Sequence, residues 1–465
     1  MAIESDVLVV GGGLAGVTSA IAAAREGVDV RLVTHKKSTL RQASGLIDAL
    51  GYVPGRTPLS EHAEYLSQKR TDFRDVRANR TDYTGPLSTP FDGFEKLPDD
   101  HPYSILGPDA VREGFSLFDS LVDDRYYGSH TERNALIPTF GGSIKPTARY
   151  PASSAAGLAS DERDMLVVGF RSLSEFDARM VADRLEATNV PFAVTGVEVT
   201  FAEAFRADTK ITRFARALDE NERIDGTPAR RALAEAVAPH VGNAERVGFP
   251  AFIGHDEASA VRADLADRLG TDIFEIPMGP PSIPGLRLED DLYAALGDED
   301  VAYESGNPVV GFESKSDSDG ERIESVLVDH KGREVPYGAD AFVLAAGGLV
   351  GKGIDSSRDG VWEPTFGCHV PHPEDRYEWF VDDAFGDHPY ARFGVRPDDS
   401  MCPLDADGER EFANLHAAGA VVGGADIARE KSASGVSLAT GVVAGRNAAA
   451  TSERISTEKT DRNQP

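Results

Sequence analysis

Residues 6 to 27 constrain this chain more tightly than any other stretch. Asp6-Val-Leu-Val-Val10 has the unbroken apolar pattern of a buried parallel strand. Gly11-Gly-Gly-Leu-Ala-Gly16 is a G-x-G-x-x-G turn, and the alanine-rich run from Val17 to Glu26 predicts a helix that stops at Gly27. The turn alone is a weak signal. With a strand before it and a helix after it, it reads as a cradle for a nucleotide phosphate. Gly11 permits the tight turn, Gly13 lets main chain approach the phosphate, and Gly16 lets helix and strand pack closely. The first turn of the helix adds unpaired N–H groups and a partial positive charge. Gly11, Gly12, Gly13, Leu14, Ala15 and Gly16 are therefore the expected contacts.

One part of that fingerprint is missing. The second strand, Val28 to Val33, should end in an acid that accepts ribose hydroxyls. Thr34 stands there instead, followed by His35, Lys36 and Lys37. A hydroxyl can still bond a ribose, the basic run could hold a phosphate, and loop water or main chain could replace the acid. The departure weakens an adenine dinucleotide without excluding it.

Composition sets outer limits. A chain of 465 residues has room for two or three domains with a full core. Its 77 acidic against 48 basic residues give a net charge of −29, with the acids spread along the whole length. Such a charge argues strongly against nucleic acid or an anionic membrane as a direct partner. Scarce lysine beside abundant Asp, Ala and Val resembles the cytoplasmic proteins of hypersaline organisms, where concentrated salt screens the self-repulsion. A first strand at Asp6 leaves no room for a signal peptide, and no apolar run reaches the ~18 residues of a membrane span. Two separated cysteines, Cys368 and Cys402, provide too few ligands for a conventional iron–sulfur cluster. No His, Asp and Glu cluster has metal-ligand spacing either, so the expected metal set is empty and any redox chemistry is organic.

Later segments repeat the strand-then-glycine pattern. Ala339-Asp-Ala-Phe-Val-Leu-Ala-Ala-Gly-Gly348 runs from strand into paired glycines, and Asn414-Leu-His-Ala-Ala-Gly419-Ala420 does so again. Ser434-Gly435-Val436 opens a small-residue helix running to about Ala450. These segments resemble the later motifs of two-dinucleotide-binding-domain flavoproteins. The resemblance implies a last strand beside the first, and a helix aimed at the flavin ring from Gly435 and Val436. The family's Gly-Asp after the last strand is Gly419-Ala420 here. The implied fold class is α/β: a Rossmann-like GR2-type flavin-binding domain with an inserted α+β cap domain. Its divisions are 1–61 and 291–450 for the flavin domain, 62–290 for the cap, and 451–465 for a disordered tail. Short strands of a meander are expected over 300–338, and helices starting at Asp109, Thr227-Pro228 and Glu257.

Ser38-Thr-Leu-Arg-Gln-Ala-Ser44-Gly45-Leu-Ile-Asp48 matches the small-residue stretch that in related flavoproteins runs along the ring edge, which points to Ser44 and Gly45. Within the cap, Ile276-Pro-Met-Gly-Pro-Pro-Ser-Ile-Pro-Gly-Leu-Arg287 is rich enough in proline to predict a stiff loop. His101-Pro-Tyr-Ser-Ile-Leu-Gly107 and Gly141-Gly-Ser-Ile-Lys145-Pro-Thr-Ala-Arg149 are comparable. Lys145, Arg149 and Arg287 are candidate clamps for a phosphate or carboxylate, although each taken singly also reads as a surface charge.

Together with Glu363-Pro-Thr-Phe-Gly367, these motifs bring the resemblance to one family. The chain resembles the B subunit of anaerobic glycerol-3-phosphate dehydrogenase over most of its length, with the cap looser than the nucleotide domain. The resemblance implies a cytoplasmic flavoprotein carried at the inner face of the cell membrane by two partners, an iron–sulfur C subunit and a flavin-containing A subunit. It implies oxidation of sn-glycerol 3-phosphate to dihydroxyacetone phosphate, electrons passing to quinone, and FMN as cofactor, with FAD the alternative. Arg287 and Lys145 are the expected phosphate-binding and catalytic residues. Two rivals stay open: a stand-alone FAD oxidoreductase of another small substrate, and a non-catalytic protein serving as electron relay or structural element.

Overall fold

This computed structural model describes residues 3–36, 38–55, 83–201, 210–317, 320–384 and 386–462. The chain forms two compact units. Residues 1–38, 48–121 and 293–465 make the first, and residues 39–47 and 122–292 the second.

The first unit is built on β1 (Ile3–Val10) and β2 (Val30–Thr34), which lie parallel with Val7 opposite Val30 and Val10 opposite Val33. α1 (Leu14–Ala24) joins them. β3 (Ala302–Ser305) extends the sheet beyond β2, again parallel. β4 (Val309–Asp317), β5 (Gly320–Asp329) and β6 (Glu334–Leu344) follow as a meander. β6 then runs parallel to β1 along its length, giving the order β3-β2-β1-β6-β5-β4. Val7 to Val10 and Ala341 to Leu344 are buried, as strands covered on both faces must be, so they read as unbroken apolar runs. The helical stretch α2 (Pro102–Val122) breaks at Gly107, where φ is 75° and ψ is 173°. α3 (Ala433–Arg462) packs against α1 through glycines. A Cβ at Gly445 would stand 2.2 Å from the Ser19 carbonyl oxygen.

The second unit has its own sheet, 194–199, 165–170, 246–250 and 272–276 in that order, with all neighbours parallel. Helices Ala178–Glu186, Ala229–Val241 and Ala258–Leu269 connect them, the last closed by Gly270 at φ 68°. Phe170, Phe214, Phe249, Phe252 and Phe274 fill its core.

Several expectations are corrected. Residues 83–121 belong with the nucleotide sheet rather than the cap, whereas 39–47 belong to the second unit; 56–82 lie outside the described residues. The last strand, β7 (Leu415–Ala417), lies beside the end of β6 and not beside β1. The tail is helical to Arg462 because Ser452 and Ile455 turn inward and are buried; 463–465 lie outside the described residues. The proline-rich segment is a loop only as far as Ser282. Ile283 opens a helix to Asp298, and Pro284 sits in its first turn, where a missing N–H costs nothing.

Candidate functional site

At Gly11 and Gly16 the glycine turn is closed in by main chain. Gly11 has φ 121°, and a Cβ there would stand 2.1 Å from the Ala345 carbonyl oxygen, at the end of β6. A Cβ on Gly16 would stand 1.8 Å from the carbonyl oxygen of Gly11. Strand, turn and helix thus close on one another as only glycine permits. Gly13 is the N-cap of α1, in extended conformation, and no side chain caps the helix. Thr18 and Ser19 turn their buried hydroxyls back onto the Leu14 and Ala15 carbonyls, at 2.7 and 2.8 Å, and away from the helix start. An uncapped helix N-terminus between glycines fits the phosphate of a flavin nucleotide.

Thr34 ends β2 where an acid was expected, and its hydroxyl donates to the Lys36 carbonyl at 3.2 Å. Gly12 faces it: a Cβ there would meet the Thr34 methyl at 3.0 Å and the Tyr293 hydroxyl at 2.9 Å. The Tyr293 hydroxyl donates to the Gly12 carbonyl at 2.9 Å.

Around α3 the contacts are again glycine-mediated. Gly419, at φ 78°, presses on Ala15, and its N–H donates to the Thr440 hydroxyl at 2.8 Å. The Gly435 N–H donates to the Asp48 carbonyl at 2.7 Å, and a Cβ on Gly435 would collide with the Tyr103 hydroxyl at 2.1 Å. That hydroxyl donates to the Ala49 carbonyl at 2.7 Å. Burial, then the nearby Glu430 and Asp48 carboxylates, push the Tyr103 phenol well above its ordinary range. Val436 is buried beside Gly435. Segment 48–52, Tyr103 and the start of α3 are therefore one interlocked piece.

Sequence reasoning missed a fully buried pair next to it. His101 Nε2 lies 3.1 Å from Glu430 Oε2. The Tyr103 N–H donates to His101 Nδ1 at 3.0 Å, so the ring proton sits on Nε2 and points at Glu430. Glu430 also accepts from the Ser432 hydroxyl at 2.9 Å and the Asp426 N–H at 3.0 Å. His101 had been legible only as part of a motif; Glu430, in Ala-Arg-Glu-Lys, carries no pattern.

Cations fall into two groups. In the first unit, Arg392 donates to Asp387 at 2.8 Å and to the Tyr83 hydroxyl at 3.0 Å, and the Arg429 guanidinium stands 5.3 Å from the Tyr83 ring centre. Neither arginine was singled out from sequence. In the second unit, Arg287 donates to Glu275 Oε2 at 2.7 Å and Oε1 at 3.0 Å, and to the Ile253 and Gly254 carbonyls. Glu275 is buried and also accepts the Ile253 N–H at 2.7 Å. The positive charge of Arg287 is thus met inside its own unit. Lys145 lies half-buried on the ribbon Ile144–Thr147, opposite Ile137. Arg149 is buried and donates to the Ala148 carbonyl at 3.1 Å. Gly45, at φ 79°, sits against Pro284, and the Ser44 hydroxyl accepts from the Leu46 N–H at 3.4 Å. Cys402 and His416 are buried side by side, Sγ to Nδ1 3.6 Å, with burial pushing the thiol up to about 12 and the imidazole down to about 4. Among the described residues no three His, Cys, Asp or Glu are grouped to hold a metal ion.

The parallel sheet, the glycine cradle and the uncapped helix define a flavin-binding protein, and the FAD binding domain model matches residues 6–436, so the chain belongs to that family. Similarity narrows the class. The chain is 53% identical to the probable B subunit of anaerobic glycerol-3-phosphate dehydrogenase from Halobacterium salinarum, over 97% of this chain and 99% of that one. It is 28% identical to the B subunit of the anaerobic glycerol-3-phosphate dehydrogenase of Pectobacterium atrosepticum, over 93% and 96%. Its backbone also resembles the open conformation of a flavocytochrome c3 fumarate reductase, with TM-score 0.42 and 12% identity over 97% and 79% of the chains. Within the flavin-binding class, the chain belongs to the family formed by the B subunit of anaerobic glycerol-3-phosphate dehydrogenase.

Proposed function

We propose that this chain is the FMN-carrying B subunit of a complex that oxidises sn-glycerol 3-phosphate to dihydroxyacetone phosphate and passes the electrons to quinone through its A and C partners. The observation that carries the reading is the uncapped N-terminus of α1 between glycines, in a chain that matches a named B subunit nearly end to end. When bound, the flavin supplies the acceptor for a hydride equivalent from the carbinol carbon of the substrate. The residues of the chain do the rest. Gly11 to Gly16 and Gly419 hold the phosphate end, and Gly435 and Val436 bring the start of α3, with its positive end, towards the ring. The neutral His101, with its proton on Nε2, is tied to Glu430 and fixes segment 426–432 against Tyr103.

FMN rather than FAD follows from Thr34 and Ala420, which stand where acids would serve a dinucleotide. The match to an FAD-binding model favours FAD as the second reading. Flavin released from the purified protein by heat and separated by chromatography decides between them, with FMN expected.

For the substrate phosphate, Lys145 and Arg287 stand unequally. Glu275 neutralises Arg287, which suits a role in holding the 253–254 loop and favours a relay protein whose substrate site lies elsewhere in the complex. Arg392 and Arg429 have carboxylate partners of their own, Asp387 and Asp426, but are partly exposed beside Tyr83 and share the first unit with the cradle. In the assembled complex, Arg392→Ala should lower kcat/KM for glycerol 3-phosphate by about tenfold or more, as loss of a charge-assisted bond does. Kinetics unchanged in Arg392→Ala and Lys145→Ala would favour the relay. No helix among the described residues is long and apolar enough to cross a membrane, so peripheral association would come through the partners.

A further inference from the structure

We infer that Tyr293, backed by Thr34, is a gate that restricts the nucleotide site to a mononucleotide. The inference rests on the flavin reading above and names the residues that decide it. A dinucleotide laid on the cradle must carry its second ribose from the helix start past the middle of the glycine turn to the end of β2, where an acid takes the 2′-hydroxyl. In this chain the Tyr293 hydroxyl and the Thr34 methyl flank Gly12, at the middle of the turn. A single added Cβ on Gly12 would stand 2.9 Å from the Tyr293 hydroxyl and 3.0 Å from the Thr34 methyl. Both atoms thus stand closer to that position than ordinary contact allows.

Tyr293 is anchored at both ends. Its hydroxyl donates to the Gly12 carbonyl at 2.9 Å, and its ring packs on Tyr303 with centroids 4.9 Å apart. Tyr303 lies on β3 opposite Leu32 of β2, so the tyrosine pair is fixed to the strand that ends in Thr34. A second ribose would have to break the bond to Gly12 and push the ring aside. It would recover little, because Thr34 has no carboxylate and its hydroxyl is engaged by the Lys36 carbonyl. The phosphate end, built from α1 and the glycines, is untouched by this obstruction, so a mononucleotide still fits.

The test titrates apoprotein of the full chain, in molar KCl, with FMN and with FAD, reading quenching of flavin fluorescence. The wild type should hold FMN about 100-fold more tightly than FAD, one mispaired ribose and a displaced hydrogen bond accounting for that ratio. Tyr293→Ala should keep its FMN affinity while the preference falls about tenfold. Adding Thr34→Glu should lower it by about another tenfold, through a charge-assisted bond to the 2′-hydroxyl. Retained FMN binding reports that the variant is folded. Should Tyr293→Ala fail that check, Tyr293→Leu, which keeps an apolar contact for Tyr303, should show the same narrowing. Wild-type protein that prefers FAD would overturn the FMN reading and the gate with it. Wild type that prefers FMN, with variants that bind FMN but leave the preference unchanged, would overturn the gate alone.

Discussion

Replacing Gly16 by alanine tests the cradle at its tightest point. The new Cβ would stand 1.8 Å from the Gly11 carbonyl oxygen and 2.9 Å from its carbon, roughly 1.5 Å inside ordinary contact. Both neighbours are main chain, so no rotamer relieves the clash and the first turn of α1 must back away from the turn. That displaces the N–H groups meant for the phosphate. Losing two charge-assisted bonds, at about 1.5–3 kcal/mol each, should weaken flavin binding by roughly two to four orders of magnitude. The overpacking itself should cost about 1–3 kcal/mol of fold stability. Titration of the apoprotein and a thermal melt in molar KCl read the two quantities, and flavin content per purified chain checks the first. Gly297→Ala is the control: nothing lies within 4 Å of its added Cβ, near the end of the helix Ile283–Asp298, so binding should hold and stability should rise by about 0.5–1 kcal/mol. A Gly16→Ala protein that binds flavin within about threefold of wild type would refute the close-packed cradle.

Three further outcomes are expected. Because burial holds His416 neutral down to about 4 against an ordinary 6.5, the unfolded chain takes up its proton first as pH falls. Its contribution, up to about 3 kcal/mol, is complete above pH ~6.5 and is lost between there and pH ~4, so a His416→Asn protein should show a shallower fall of unfolding free energy over that window. With a net charge of −29 the melting temperature should climb from low to multimolar KCl, and a flat or falling trend would remove the hypersaline reading of the composition. Arg246→Lys should lower unfolding free energy by about 3 kcal/mol or more in urea titrations, because one ammonium cannot reach the four carbonyls that the guanidinium joins; a loss under about 1 kcal/mol would show them to be dispensable.

How much was legible depended on where the information lay. Strand, turn and helix in residues 3–24 are a local pattern with a local cause, and so are the meander and the helix closing at Gly270. Thr34 at the end of β2 was legible as a departure. Tyr293, which gives the departure its structural meaning, lies 259 residues on in sequence and meets Gly12 only through the fold. The His101–Glu430 pair is similar: its two halves are 329 residues apart, and neither neighbourhood suggests a buried partner. Arg287 looked like an anion clamp because sequence shows a cation but not the carboxylate folded against it.

The second unit's sheet shows why a strand can be hidden in plain view. Met165–Phe170 is buried throughout, and a short unbroken apolar run does not distinguish a buried strand from a buried helix. Its neighbour, Arg246-Val-Gly-Phe-Pro250, is worse, since a charge opens it and a proline ends it, yet every residue is buried. The charge is tolerated because four carbonyls, of Ala156, Leu158, Asp161 and Arg163, converge on the guanidinium at 2.7–3.0 Å, while Phe192 covers its face. None of those groups belongs to the strand. The four carbonyls come from the turn-rich segment before Met165, which has no periodicity of its own and is held in place by the same arginine. Each side makes sense only once the other is present. Burial lowers the affinity of Arg246 for its proton without emptying it, so the buried cation must keep all its acceptors. Strand 246–250 and the 156–163 segment therefore depend on one another, a dependence between distant stretches that single-segment patterns do not carry.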